Sequence, residues 1–390
     1  MEYKLSDIFN LQMGKTPSRN NSDYWTEGKY DWISISDLSS EKYINKTKEK
    51  ITDSAIEKTN IKIIPANTVI MSFKLSIGKT AITSHDMYSN EAIMAFIDKH
   101  KVELNTDFIY YLLQSVKWNT NTAVKGKTIN KSIISKTKVN IPDYQEQCKI
   151  VKVLDIVTKR LKFEQKELIN LDELIKARFV EMFGDPINNQ KGWKILRIED
   201  LVENNKYAIK AGPFGSALKK EFYVSKGYKI YGQEQVIKND PSFGNYYISQ
   251  EKYTSLKNYR VKAGDVLISL VGTYGKLMIM PDDYELGIIN PRLIKITFDK
   301  DLVNPIYFKY FFQSDAEKKV LTHNTHGGTM GILNVKIIRK VALPLPPLAL
   351  QNEFANFVQQ VDKSKFENIV YLNKTLSSKI LSQLGDAIRD

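Results

Sequence analysis

The 390-residue chain has a single cysteine, Cys148, and no long apolar run. One thiol excludes an internal disulfide framework and is typical of a protein in a reducing compartment. A bilayer-spanning helix needs roughly 20 consecutive apolar residues, and no stretch of the sequence approaches that length. The first residues, MEYKLSDIFN, also lack the apolar segment of a signal peptide. These absences predict a cytoplasmic protein with no membrane partner.

Phosphate loops are absent, although Gly-Lys-Thr occurs at residues 14–16, 78–80 and 126–128. A phosphate loop follows the pattern Gly-x-x-x-x-Gly-Lys, because the first glycine opens the turn whose N–H groups bind the phosphates. The position of that first glycine holds another residue in every copy: Phe9, Phe73 and Asn121. The Gly-Lys-Thr glycines therefore need a different explanation.

Other catalytic signatures are missing as well. The histidine pair in HNTH (323–326) has no cysteine or carboxylate nearby, so no zinc site is predicted. Neither a Gly-x-Ser-x-Gly elbow nor a Gly-x-Gly-x-x-Gly turn occurs. The segment INPRL (289–293) comes nearest to the Asn/Asp-Pro-Pro-aromatic motif of adenine methyltransferases, but its arginine breaks the pattern. The sequence predicts no catalytic residue, no metal and no cofactor bound by this chain, and it favours a binding subunit over an enzyme.

Charge of one sign is in excess. The chain has 57 Lys and Arg against 44 Asp and Glu, which gives a net charge of +13. Such a field favours a polyanionic partner, usually nucleic acid. A lysine-rich proteome produces the same excess, so charge alone leaves a second explanation open.

The chain contains an internal repeat. At an offset of 197, PANTVIMSFKLSIGKTAI (65–82) matches KAGDVLISLVGTYGKLMI (262–279). The shared residues of the first copy are Ala66, Val69, Ser72, Gly78, Lys79 and Ile82. One module is therefore present twice. Gly78 and its counterpart Gly275 are predicted to form turns of a shared scaffold.

Each module begins with a mixed domain, predicted at residues 1–142 and 190–344. Short apolar runs such as NTVIMSF and DVLISLVG are separated by clusters of Gly, Pro, Asn and Asp, which indicates strands and turns. A helix is predicted inside each domain, at DFIYYLLQS (107–115) and at the matching IYFKYFFQS (306–314).

Each module ends in a long helix, predicted at residues 143–185 and 347–386. Apolar residues of the first helix recur at spacings of a heptad seam: Ile150, Leu154, Val157, Leu161, Leu168, Leu171 and Ile175. The second seam is looser and is interrupted by Lys365. A helix of some 40 residues is a rod of roughly 60 Å, which is too long to bury its apolar stripe in a small domain. We therefore predict that the two helices pack on each other.

The predicted fold class is α+β, with two mixed α/β domains, each followed by a long helix, and the helices packed as an antiparallel coiled coil. Antiparallel helices would relate the modules by pseudo-two-fold symmetry. That symmetry suits duplex DNA, because a two-fold reader contacts two separated stretches in inverted orientation. An ordinary helical hairpin core is the alternative for the same seam.

The order of motifs resembles a known family. Each mixed domain closes in IP (141–142) or LPLPP (343–347), and a helix start with QEQ (145–147) or LQNEF (350–354) follows. The first long helix ends in FGD (183–185), and the whole arrangement then repeats. The chain resembles the specificity (S) subunit of type I restriction-modification systems along nearly its whole length.

Two further segments resemble openings of the target-recognition domains in that family. They are GKTPSR with YWTEGKYDWISISDL (within 14–38) and KAGPFGSALKKEFY (210–223). The resemblance implies that residues 1–142 and 190–344 are target-recognition domains 1 and 2, and that the long helices are spacers.

The function implied by the resemblance is non-catalytic. Each target-recognition domain reads one half of a bipartite, asymmetric site in double-stranded DNA, and the helices fix the gap between the halves. Two methylation subunits, which bind S-adenosylmethionine, dock on the helices for N6-adenine methylation. Two restriction subunits are the further possible partners, adding ATP- and Mg-dependent translocation and cleavage. A stand-alone methyltransferase or nuclease with divergent motifs, and a coiled-coil scaffold without a DNA role, remain the alternatives.

Candidate DNA contacts are basic, amide and hydroxyl residues in or beside glycine-rich loops, where side chains can reach phosphates and base edges. In the first module they are Lys15, Thr16, Ser18, Arg19, Lys74, Lys79, Lys125 and Lys127. In the second they are Lys210, Ser216, Lys219, Lys220, Gln233, Gln235, Tyr274, Lys276, His326 and Thr329. The amides of Gln233 and Gln235 can pair bidentately with adenine. For any single lysine, a solvated surface charge is the alternative, and Trp25 and Trp32 are interpreted as core rather than as a base-stacking platform.

Overall fold

The computed structural model describes residues 1–39, 41–118, 121–123, 126–185, 188–270, 275–314 and 334–388. For residues 121–123, 126–128, 368 and 371–388 the description concerns the backbone alone. The chain forms two compact units, Met1–Lys166 with Asn368–Asp390, and Glu167–Glu367. We call residues 1–142 domain 1 and residues 190–344 domain 2.

Domain 1 and the helix after it contain twelve strands and five α-helices in the described residues. They are β1 (Glu2–Lys4), α1 (Leu5–Ile8), β2 (Phe9–Met13), β3 (Tyr30–Ile33), β4 (Tyr43–Ile44), β5 (Glu49–Ile51), α2 (Asp53–Thr59), β6 (Val69–Ser72), β7 (Thr80–Thr83), β8 (Tyr88–Ser89), β9 (Ile93–Asp98), α3 (Thr106–Ser115), β10 (Asn121–Ala123), β11 (Gly126–Thr128), α4 (Lys131–Lys136), β12 (Lys138–Asn140) and α5 (Tyr144–Phe183).

Domain 2 and its helix follow the same plan. Their elements are β13 (Lys194–Arg197), β14 (Ile209–Ala211), β15 (Tyr223–Val224), β16 (Tyr228–Tyr231), α6 (Gln233–Lys238), β17 (Tyr247–Ile248), α7 (Gln250–Ser255), β18 (Val266–Ser269), β19 (Leu277–Ile279), β20 (Gly287–Ile289), β21 (Leu293–Ile296), α8 (Pro305–Phe312), α9 (Val335–Lys340), β22 (Ala342–Leu345) and α10 (Leu348–Ile388).

The sheets of the two domains correspond. Domain 1 has a five-stranded sheet in the order β2-β9-β6-β7-β4, and domain 2 has β14-β21-β18-β19. A second sheet is β5-β3-β8 in domain 1 and β15-β17-β16-β20 in domain 2, with β3–β8 and β16–β20 parallel. The first and last strands of each domain pair antiparallel, as β1–β12 and β13–β22. The predicted duplication is therefore confirmed at the level of topology.

Two apolar clusters flank the central strand of each domain. In β6, Val69 and Met71 lie in the cluster that includes α3, whereas Ile70 between them lies in the cluster of the second sheet. Strand β18 repeats this arrangement. Because side chains alternate across a strand, β6 and β18, which lie within the continuous apolar runs NTVIMSF and DVLISLVG, are strands buried on both faces.

The helices expected inside the domains, α3 and α8, are present, as are the long helices α5 and α10. The apolar seam of α5 is buried at Ile150, Leu154, Val157 and Ile175. It is half-buried at the three other seam positions: Leu161, Leu168 and Leu171. The heptad pattern of α5 thus predicted the buried side of the helix.

Within the second unit, α5 and α10 run antiparallel. The Lys365 ammonium lies 2.6 Å from Asp172, and the Arg178 guanidinium lies 3.1 Å from Glu353. The later residue of α5, Arg178, pairs with the earlier residue of α10, Glu353. The two helices therefore run in opposite directions. Lys365 interrupts the seam of the second helix because it forms an ion pair with the first.

A buried glutamine fastens α5 to domain 1. The Gln147 amide oxygen accepts a hydrogen bond from the backbone N–H of Asn105 at 2.8 Å. Its amide nitrogen donates to the carbonyl oxygens of Glu103 at 3.0 Å and Pro142 at 2.9 Å. All of these partners are backbone groups, and they satisfy both ends of the amide in the interior.

The second module repeats this joint. Gln351 accepts from the N–H of Asn304 at 2.9 Å and donates to the carbonyls of Leu302 at 3.0 Å and Pro346 at 2.8 Å. We call Gln147 and Gln351, with their backbone partners, the glutamine clamps. They give a physical reason for the glutamines in the QEQ and LQNEF helix starts.

Candidate nucleic-acid interface

Loops gather at one end of the main sheet in each domain. In domain 1, the Gly14 N–H donates to Ile93 at 3.3 Å and the Phe73 N–H donates to Ala92 at 3.0 Å, so the loops after β2 and β6 lie beside the start of β9. In domain 2, Gly212 and Leu270 make the matching bonds, to Leu293 and Arg292. We call residues 14–19, 73–79 and 89–92 loop edge 1. The corresponding residues 212–220, 270, 275–276 and 290–292 are loop edge 2.

A glycine starts each loop edge because there is no room for a side chain. A Cβ at Gly14 would overlap the carbonyl oxygens of Ser89 and Asn90. A Cβ at Gly212 would overlap that of Asn290. The glycine of the first Gly-Lys-Thr copy is thus a close-packing position between two backbone segments.

The second Gly-Lys-Thr copy is a turn that both domains share. Gly78 has a φ of +84° and Gly275 a φ of +77°, a region that favours glycine. Their N–H groups donate to the carbonyls of Ser72 at 2.9 Å and Ser269 at 3.2 Å. The prediction of a shared scaffold turn is confirmed, and the residue that follows each glycine, Lys79 or Lys276, is exposed.

Loop edge 1 brings several predicted residues together around Glu91. The Thr16 hydroxyl donates to the Glu91 carboxylate. Burial would raise the pKa of Glu91, but this hydrogen bond and the nearby charges of Lys74 and Arg19 outweigh it and lower the pKa. The edge therefore carries a carboxylate among cations, and part of its positive charge is already balanced.

Arg19 and Lys15 also have partners within domain 1. The Arg19 guanidinium pairs with Glu49, with its Nη2 3.0 Å from Oε2, and lies 3.9 Å from the centre of the Trp25 ring. The Lys15 ammonium donates to the carbonyl of Thr59 at 2.6 Å. The Ser18 side chain is exposed. Direct base contact by Arg19 would require it to leave Glu49.

Trp25 and Trp32 support the loop of residues 14–19. Trp32 is 1% exposed, and the two rings pack edge to face with centroids 5.0 Å apart. Their indole N–H groups donate to the carbonyls of Ser18 and Lys15, each at 3.1 Å. This geometry supports the interpretation of the pair as packing rather than as a base-stacking platform.

In domain 2, Lys210 lies on β14 beside two rings, 5.2 Å from the centre of Tyr259 and 5.6 Å from that of Tyr207. A hydrogen bond from Lys206 and the charges of Lys210 and Lys257 lower the pKa of Tyr207. These lysines form a basic patch next to loop edge 2.

The remaining described candidates of domain 2 differ in their surroundings. Ser216, Lys219 and Lys220 are exposed, and the Lys219 ammonium lies 3.5 Å from Glu221. Gln233 is half-buried, and its amide donates to the Ser269 hydroxyl at 2.9 Å. The Gln233 side chain is thus held at the end of β18, next to Leu270 of loop edge 2.

The prediction that Gln235 reads a base is wrong. Gln235 is 3% exposed, and its amide oxygen accepts from the N–H of Gly232 at 3.0 Å. Its amide nitrogen donates to the carbonyl of Phe243 at 2.9 Å. Both ends of the amide stabilise the turn around α6, so the side chain is not free to contact DNA.

Some candidates lie outside the described residues. They are Lys125, Tyr274, His326 and Thr329, together with the side chain of Lys127. In the residues that are described, no group of His, Cys, Asp and Glu is arranged to hold a metal ion. Every helix there is too short or too polar to cross a membrane.

Sequence reasoning missed Arg292, an exposed residue of loop edge 2. The Asn290 side chain accepts from the Arg292 N–H at 2.9 Å, as Asn90 accepts from Ala92 at 3.0 Å. Arg292 has no ion-pair partner among the described residues. An alignment of SNEAI (89–93) with INPRL (289–293) at an offset of 200 could have found it.

Comparison with known sequences agrees with this duplicated architecture. A family profile described as Type I restriction modification DNA specificity domain matches residues 1–173 and 190–377. The Type I restriction enzyme MjaIX specificity subunit of Methanocaldococcus jannaschii is 22% identical over 420 residues, covering 99% of this chain and 90% of that protein.

Solved structures show the same fold. The type I restriction-modification S subunit from M. genitalium aligns with a TM-score of 0.56 and 15% identity, covering 100% of this chain and 96% of that one. A chain from a study of complex assembly and conformational transition of the type I R-M system aligns with a TM-score of 0.62 and 15% identity, covering 100% and 97%. Since the profile matches both halves of the sequence, the chain belongs to the type I restriction modification DNA specificity domain family.

Proposed function

We propose that this chain is the non-catalytic, sequence-specific DNA-binding subunit of a type I restriction-modification complex. It reads a bipartite, asymmetric target and directs N6-adenine methylation and restriction there. The observation that carries the proposal is the pair of loop edges, which share a backbone plan and differ in charge. Each edge contacts one half of the target, and the unlike side chains give unlike half-sites.

The shared and unshared cations of the edges have different tasks. Lys79 and Lys276 follow the same glycine turn, so they contact phosphates in equivalent positions and fix the register of each domain on the duplex. Arg292 projects from a turn anchored by Asn290, and an arginine can donate bidentately to the O6 and N7 of guanine. We therefore assign a base contact in the second half-site to Arg292.

The other loop residues are proposed as additional DNA contacts. They are Lys15, Thr16, Ser18, Arg19, Lys74, Lys125, Lys127, Lys210, Ser216, Lys219, Lys220, Gln233, Tyr274, His326 and Thr329. The basic patch around Lys210 supports a phosphate contact beside loop edge 2. The ion pair between Arg19 and Glu49 has to break before the Arg19 guanidinium can contact DNA.

Catalysis belongs to the partners in this proposal. Two methylation subunits bind S-adenosylmethionine and modify adenine, and two restriction subunits add ATP- and Mg-dependent translocation and cleavage. Support comes from the solved relative, whose description concerns assembly of the type I R-M system. A subunit that acts on DNA in this way is expected in the cytoplasm.

The test is to co-express the chain with its neighbouring methylation gene in a host that lacks adenine methylation, and to map modified adenines by single-molecule sequencing. We expect a two-part motif with a fixed unspecified gap, seen only when both genes are present. Arg292→Ala should relax one base of one half-site and leave the other half unchanged. Methylation by this chain alone, or a single continuous motif, would contradict the proposal.

A further inference from the structure

A short segment of domain 1, Glu41–Tyr43, contacts the long helix that follows the domain. We call it the strap. The Lys42 ammonium lies 2.6 Å from the Asp155 carboxylate of α5 and 3.3 Å from Asp107 at the start of α3. The Tyr43 hydroxyl donates to Asp107 at 3.0 Å. The strap therefore joins three parts of the first unit: the sheet, α3 and α5.

The strap contact is partly shielded from water. The side chains of Lys42, Asp107 and Asp155 are 20%, 27% and 36% exposed. The Tyr111 hydroxyl also donates to Asp155, at 2.6 Å, and the Lys42 ammonium lies 4.9 Å from the centre of the Tyr111 ring. Charge-assisted hydrogen bonds of this kind are stronger than neutral ones.

The pKa values of the group agree with this geometry. Burial would raise the pKa of Asp155, but hydrogen bonds from Lys42 and Tyr111 outweigh it and lower the pKa. Burial, followed by the hydrogen bond to Asp107, raises the pKa of Tyr43 to about 12. Asp155 thus stays charged, and Tyr43 stays neutral, near neutral pH. A more exposed pair, Lys162 with Glu41 at 2.9 Å, extends the contact along α5.

Domain 2 is attached to its helices by its own glutamine clamp and by aromatic rings. Tyr307 of α8 stacks on Phe179 of α5 with centroids 5.7 Å apart, and Phe354 of α10 packs edge-on against Phe179 at 5.4 Å. Among the residues that the structure describes, no ion pair joins domain 2 to α5 or α10. Apolar packing tolerates small rotations better than a fixed ion pair does, because it has no directional bond. Beyond the glutamine clamp that both domains have, the strap therefore gives domain 1 a second directional attachment, an ion pair.

We propose that the strap is a positioning device that fixes the angle of domain 1 on α5 and so restricts the gap between the two half-sites. This inference rests on the proposed function. One extra base pair moves a half-site by about 3.4 Å and turns it by about 35°, since a helical turn has 10–10.5 base pairs. Domain 1 can follow the shifted half-site only by rotating on its helix, and that rotation requires Lys42 to leave Asp155.

The test uses the complex of the chain with its methylation subunit and duplexes that carry the mapped target. Three duplexes are compared: one with the native gap, one with a gap one base pair shorter, and one with a gap one base pair longer. Binding is measured for wild type, Lys42→Met and Asp155→Asn. We expect both variants to lose about fivefold to tenfold of the preference for the native gap, with half-site preferences unchanged. That loss is what breaking a partly buried, charge-assisted contact would produce.

Two controls separate positioning from stability. Lys29→Met removes the same charge from the same domain and breaks an exposed pair with Asp53, 3.4 Å apart, that does not involve α5. It should leave gap preference unchanged. Lys42→Arg keeps the charge and should therefore retain most of the wild-type preference for the native gap. Thermal unfolding of each complex shows whether a variant is simply unstable.

The outcomes are distinguishable. If both variants keep the wild-type gap preference, or if binding falls equally for every gap and every half-site, the strap is an ordinary structural contact and the inference is wrong. If the wild-type complex shows no two-part target at all, the proposed function fails and the inference fails with it.

Discussion

The two loop edges have matching backbones and unlike charges. At equivalent turns, domain 1 has Asn90-Glu91-Ala92 and domain 2 has Asn290-Pro291-Arg292. In both, the asparagine side chain accepts the N–H of the third residue. Hydrogen bonds made by the scaffold are thus repeated, whereas the outward charge changes from a carboxylate to a guanidinium. The comparison separates residues that build a recognition domain from residues that decide what it recognises.

The largest expected effect concerns a feature that the domains share. Gln147→Leu or Gln351→Leu leaves three backbone groups without partners in the interior, and each change should lower the free energy of unfolding by about 3 kcal/mol. Denaturant unfolding of the purified chain measures the change. Gln145→Leu, an exposed position on the same helix, is the matched control. A large effect at one clamp and none at the other would break the equivalence of the joints.

The next effect concerns a difference between the edges. Arg292→Ala should weaken binding of the complex to its target by about 2 kcal/mol and relax one base of the second half-site. Arg19→Ala should cost less, because Arg19 is already paired with Glu49. Binding titrations on targets with single base changes distinguish the two. Arg339→Ala, which removes an arginine outside the edge, is the control, and an equal loss from it would point to net charge alone.

A smaller effect, on the salt dependence of DNA binding, should be the same in both domains. Lys79→Ala and Lys276→Ala each remove one phosphate contact, so the slope of log affinity against log salt should fall by about 0.9 in each case. Discrimination among target sequences should stay as in wild type. Titrations across a range of salt concentrations measure the slope. Unequal slopes would show that the shared turn meets DNA differently in the two domains.

The smallest effect concerns pH and domain 1 alone. The folded-state pKa of Asp155 is lowered by Lys42 and Tyr111, so its contribution to stability is present above the unfolded-state pKa of about 3.9 and is lost as pH falls below it. Asp155→Asn should therefore flatten the acid side of the stability profile, by less than about 1 kcal/mol because the group is partly exposed. Unfolding temperatures between pH 3 and 7 test this. An unchanged acid limb would contradict it.

The sequence predicted what depends on local pattern. Apolar runs predicted the central strands β6 and β18, and heptad spacing predicted the buried side of α5. The internal repeat predicted that the two modules are equivalent. Gly78 and Gly275 followed from the same alignment, since a shared glycine beside a strand marks a turn. These features depend on residues that are close in sequence or related by one fixed offset.

The sequence did not predict contacts between distant residues. Lys42 and Asp155 are 113 positions apart, and no periodicity links them. Arg19 looked like a free cation because Glu49 lies 30 residues away. Gln235 looked like a base reader because an amide can bond to a base or to the backbone equally well, and only its burial decides which. Loop side chains are therefore where the candidate site was least predictable.

The glutamine clamps also bear on how such a chain can change its target. Every partner of Gln147 and Gln351 is a main-chain N–H or carbonyl. A joint that touches only the main chain imposes little on the side chains of the domain it holds. The outward residues can therefore diverge without loss of these hydrogen bonds. Residues of the loop edges can therefore change while the glutamine clamps stay intact.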